Sequence, residues 1–141
     1  MSSNMKLQAV VDSFNVLSLI IMDAISQATI KGCVSNECES AFENKADALS
    51  IAITDVRDEI KPILAQMLTD AIENEDSKIN VRDINDMKSL LTSSKGFDEQ
   101  MDVVRKLFAD KIKRTEKCSA YRTLCTLIST ARKIEQLSSK L

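Results

Sequence analysis

The sequence predicts an all-α protein: one domain over residues 1–141, built as a bundle of five to six helices. Three observations carry this reading. Apolar residues recur every three or four positions along most of the chain, the period of one helix face. Glycine and proline are scarce, at two and one in 141 residues, whereas a β-sandwich or barrel needs turn residues about every 8–12 positions. The composition, 44% hydrophobic and 28% charged, suits a chain that buries a core rather than a disordered one.

The first helix is expected over Met5 to Lys31. Leu7, Val10, Val11, Phe14, Leu17, Ile21, Ala24, Ile25 and Ala28 form one apolar face, at the spacing of a helix that packs on a core. Val16, Leu19 and Ile20 widen that face beyond a normal stripe, which fits a central helix or one half of a helix-to-helix interface. Gly32 falls just past the last periodic residue, where a left-handed cap favours a residue without Cβ.

Asn36 is read as the cap of the second helix, with Glu39 three residues on, a capping-box-like pattern. Phe42, Ala46, Leu49, Ala52, Ile53, Val56 and Ile60 mark its buried face. Pro62 lacks an N–H and disfavours a helical residue before it, so a kink or break is expected there. The stripe resumes with Ile63, Leu64, Met67, Leu68, Ala71 and Ile72 and ends at the acidic tract Glu73 to Lys78. Asn80 caps a short helix bearing Val81, Ile84, Met87, Leu90 and Leu91, and Thr92 to Phe97 reads as a loop.

Asp98 then caps a helix carrying Met101, Val104, Leu107, Phe108 and Ile112. The last stripe is read as Tyr121, Leu124, Cys125, Ile128 and Ala131. From Ile112 to Tyr121 a continuous helix turns by about 900°, leaving the two stripes about 180° out of phase. One straight helix cannot bury both, so a break is expected near Thr115–Ser119.

The four cysteines, Cys33, Cys38, Cys118 and Cys125, admit more than one arrangement. Two disulfides joining the first interhelix turn to the last helix fit an even count. Four free thiols acting as small hydrophobes fit equally well. A four-cysteine zinc site is the weaker alternative, because these spacings are looser than zinc knuckles.

No histidine occurs, so triads, Cys–His pairs and histidine metal ligands are excluded. Two isolated glycines cannot build a phosphate-cradling loop. The carboxylates at Asp55, Asp58 and Glu59 and at Glu73, Glu75 and Asp76 read as solvated helix faces. The expectation is therefore a non-enzymatic protein without a cofactor or metal. No run of about 18 apolar residues suggests a membrane span.

What remains is binding. The leading expectation is an assembly module that works through protein–protein contacts, most simply as a homodimer through Val16, Leu19 and Ile20. One alternative is a carrier of a small apolar ligand in a bundle cavity lined by Met22, Met67, Met87 and Met101. Another is duplex-RNA binding by a helical dimer. Residues 1–85 carry a net −7 and residues 86–141 a net +5, and Arg105, Lys106, Lys113, Arg114 and Lys117 are the candidate phosphate contacts. The ending Ser139-Lys140-Leu141 matches a peroxisomal import tripeptide. Bridged cysteines would imply an extracellular protein; free thiols would fit a peroxisomal or cytoplasmic one.

Overall fold

The computed structural model describes residues 3–73, 81, 82, 84, 85, 88 and 95–139. Among them the fold is all-α, with helices α1 (Ser3–Lys31), α2 (Asn36–Glu73), α3 (Lys95–Arg105) and α4 (Arg114–Ser138), and a 3-10 turn over Lys106–Phe108. Among the described residues four α-helices have defined bounds, which does not support the expected count of five to six. The short helix expected from Asn80 to Leu91 lies largely outside the described residues. Within it Val81, Arg82, Ile84, Asn85 and Lys88 are helical and Ile84 is buried.

α1 ends where glycine allows it to. Gly32 has φ +74° and its N–H donates to the carbonyl of Ala28 at 3.1 Å, the single-bond form of a left-handed cap. The cap of α2 differs from the expectation: it is Ser35, not Asn36. Ser35 Oγ accepts from the Cys38 N–H at 3.2 Å, and its carbonyl accepts from the Glu39 N–H at 3.1 Å. Gln27 Oε1 accepts from the Ser35 N–H at 2.8 Å, so α1 itself holds the turn in place.

α2 runs unbroken through Pro62. Proline costs the helix one internal hydrogen bond. Fully buried Ile60 and Leu64 on either side anchor the helix to the core across that gap. The break before the last helix falls at residues 109–113 rather than at Thr115–Ser119. Glu116 sets this position: its Oε2 accepts from the Lys113 N–H at 3.0 Å, the reach-back half of a capping box. The expected loop at Thr92–Phe97 also ends early, since α3 already includes Lys95, Gly96 and Phe97.

α1 packs along both α2 and α4, while α2 and α4 barely touch. α1 and α2 are antiparallel: Cys38, early in α2, reaches the Ile20 carbonyl, and Glu59, late in α2, pairs with Lys6. α3 closes the remaining side, with Phe97 edge-on to Phe14 at 6.3 Å and Phe108 of the 3-10 turn at 5.2 Å from Phe42. α2 and α4 therefore stand at opposite corners.

By length and composition α1 does reach the range of a membrane-crossing helix, with mean hydropathy 1.6 over its most apolar window. The expectation that no segment does so is corrected. The window tolerates the isolated charges Asp12 and Asp23 that interrupt an all-apolar run. The inner face of α1 is spent on the core, where Leu7, Val10, Phe14, Leu17, Ile21 and Ala24 are fully buried.

Candidate functional site

The outer face of α1 keeps apolar side chains in solvent. Val16 is 42%, Leu19 64% and Met22 48% exposed, and their i, i+3, i+6 spacing puts them along one side of the helix. Ile20 does not join them; it is half-buried against the core. Of the three residues singled out for an interface, two are presented outward. Met22 was missed in that role, although its position on the outer side follows from the helical period.

The basic candidates divide. Arg105 is engaged inside the chain: Nε lies 2.7 Å from Glu43 Oε1, Nη2 3.1 Å from Glu43 Oε2, and Nη1 2.7 Å from Asp102 Oδ1. Its guanidinium also sits 5.9 Å from the centre of the Phe42 ring. The Glu43 carboxylate, then Asp102, hold its proton more tightly than in a free arginine. Lys106, Lys113 and Arg114 are exposed and Lys117 is half-buried. Lys106 and Lys113 border one surface cleft with Glu116. Arg114 and Lys117 border another, of about 380 Å³, with Thr29, Cys118, Tyr121 and Arg122.

That second cleft reflects a rotation of α4 relative to the expected stripe. Ala120, Leu124, Leu127, Ala131 and Ile134 face the core, and Tyr121 is 59% exposed. Leu124 and Ala131 of the expected stripe are buried there, whereas Tyr121 and Cys125 are exposed.

The disulfide expectation is overturned: all four cysteines are free thiols. A disulfide needs Cα atoms within about 7 Å, and the fold separates these. Cys38 is buried against α1, its Sγ donating to the Ile20 carbonyl at 3.8 Å. Cys118 and Cys125 lie exposed on α4, across α1 from α2. Burial, helped by Asp23, pushes the Cys38 thiol up from its ordinary 9.0, which makes it inert. Cys33 is exposed in the turn rather than buried. Among the described residues no three cysteine or carboxylate side chains converge as a metal site requires, so the four-cysteine zinc arrangement does not form.

Of the methionines proposed to line a cavity, Met101 is buried in the core, Met67 packs against it and Met22 is exposed; Met87 lies outside the described residues. None of them borders the four surface clefts described. Ser139 sits in an exposed turn after α4, its Oγ donating to the Gln136 carbonyl at 2.7 Å. Lys140 and Leu141 lie outside the described residues.

Comparison with known proteins finds no matching family model, no matching curated protein and no matching solved structure.

Proposed function

We propose that the chain is a non-enzymatic helical binding and assembly module that pairs with a second copy of itself through the outer face of α1. One observation supports this most: the helix that fills the core with its inner side also holds Val16, Leu19 and Met22 in solvent. Adjacent exposed apolar side chains on a rigid helix favour burial against a like surface, and a two-fold axis lets one patch serve both partners. Neighbouring Ile20, packed on the core, fixes the orientation of this face.

The test is Leu19→Asp, examined by size-exclusion chromatography with light scattering. Leu19 is largely exposed, so the substitution leaves the core intact. In about 500 mM salt, where charge-driven contacts are screened, the expected result is a halved particle mass with unchanged far-UV circular dichroism. A wild type already monomeric, or a variant that keeps its mass, overturns the reading.

A further inference from the structure

Two faces at opposite corners of the bundle carry opposite charge around a single exposed apolar side chain. On α2, Ile51 is 63% exposed. Asp47, Asp55 and Asp58, all exposed, stand four before it, four after it and seven after it, on the same helix face. On α4, the exposed Tyr121 shares its cleft with Arg114, Lys117 and Arg122. None of these six charged side chains takes part in the ion pairs formed among the described residues.

We infer that the Ile51 face of one copy docks on the Tyr121 face of a second copy, three carboxylates meeting three cations around an Ile–Tyr contact. The two strips are of comparable length, the acidic one longer by about one helical turn. At 1.5 Å rise per residue, Asp47 to Asp58 spans about 16 Å and Arg114 to Arg122 about 12 Å. They match in kind, each being an apolar knob inside a ring of one charge. An RNA partner would use the basic strip alone and leave the acidic one without a role. A second copy uses both.

The two faces cannot meet within one chain, because α1 lies between α2 and α4. The contact is therefore head-to-tail, and repeated it builds a ring or an open row of subunits. It is separate from the outer face of α1 and does not depend on it. Charge sets its register and makes it sensitive to salt, whereas an apolar α1 contact is not.

The experiment is sedimentation velocity on Leu19→Asp protein, in which the α1 contact is removed. In about 50 mM salt its mean mass rises with concentration, and in about 500 mM salt it returns to a single chain. Adding Asp55→Lys or Arg122→Glu weakens association about tenfold or more. Mixing the two reversal variants restores association, since each supplies the working face that the other lacks. Should Leu19→Asp lose helix content, the same comparison is made on the wild-type chain, where the salt-dependent rise and its loss in each variant are read above the baseline mass in high salt. Unchanged association in both reversal variants overturns the inference, as does no salt-dependent association at all. Loss of a duplex-RNA gel shift in Arg122→Glu, with self-association intact, overturns it too and gives the basic face to nucleic acid.

Discussion

Arg105 and Glu43, 62 positions apart, form a two-pronged ion pair at 2.7 and 3.1 Å that ties the end of α3 to α2. The planar guanidinium matches both carboxylate oxygens and lies over the Phe42 ring, an arrangement a lysine cannot reproduce. Both side chains are more than a third exposed, so water screens the pair. Glu43→Gln and Arg105→Lys are each expected to cost about 0.5–1 kcal/mol, read as a lower urea midpoint. No shift in either variant would mean the pair is ornamental to stability.

The two glycines should respond oppositely to alanine. Gly32 needs its positive φ, though nothing crowds the site, so Gly32→Ala loses about 1 kcal/mol through backbone strain alone. Gly96 lies within α3 with open space around it, and Gly96→Ala gains about 0.5 kcal/mol from helix propensity. Thermal melts of the two variants should move in opposite directions.

Pro62 interrupts the hydrogen-bond ladder of α2 at an exposed position. Pro62→Ala restores the missing N–H and is expected to stabilise by about 2 kcal/mol, after the entropy returned to the unfolded chain is deducted. A destabilised variant in chemical denaturation would show instead that the fold depends on the proline.

Thiol chemistry should separate Cys38 from the rest. Cys33, Cys118 and Cys125 are exposed and are expected to react promptly with Ellman's reagent, Cys38 only on unfolding. The raised Cys38 pKa also shapes stability. From 9.0 upward the unfolded chain gives up this proton while the folded chain keeps it. Folded protein then binds more protons, so stability is full below that value and falls as pH rises through the window. Cys38→Ala should flatten the part of the decline that Cys38 causes. A slope identical to wild type contradicts the assignment.

Much of the helical frame was legible because it rests on local period. Phe42, Ala46, Leu49, Ile53, Val56 and Ile60 were all picked from their spacing and are all buried. Gly32 ended α1 for the conformational reason its type implies. The failures share a cause, which is tertiary contact. Pro62 sits inside α2 because buried neighbours hold the helix, and Ser35 caps α2 because Gln27 orients it. Leu124 and Ala131 of the expected last stripe are buried, but Tyr121 and Cys125 outweighed Ala120 in hydrophobicity, yet Ala120 faces the core and they do not. The candidate site was half legible. Val16 and Leu19 emerged from the excess width of the α1 stripe. Arg105, read as a phosphate contact, belonged to a carboxylate 62 residues away that no spacing rule connects to it.

The most direct test of the assembly role is sedimentation equilibrium of the wild-type chain in about 500 mM salt, where charge-driven contacts are screened and apolar ones persist. One chain weighs 15.7 kDa. The expected mass is twice that value, falling to that of one chain in Leu19→Asp. A wild-type mass of 15.7 kDa at every concentration would contradict pairing through α1 and leave Val16, Leu19 and Met22 as ordinary surface.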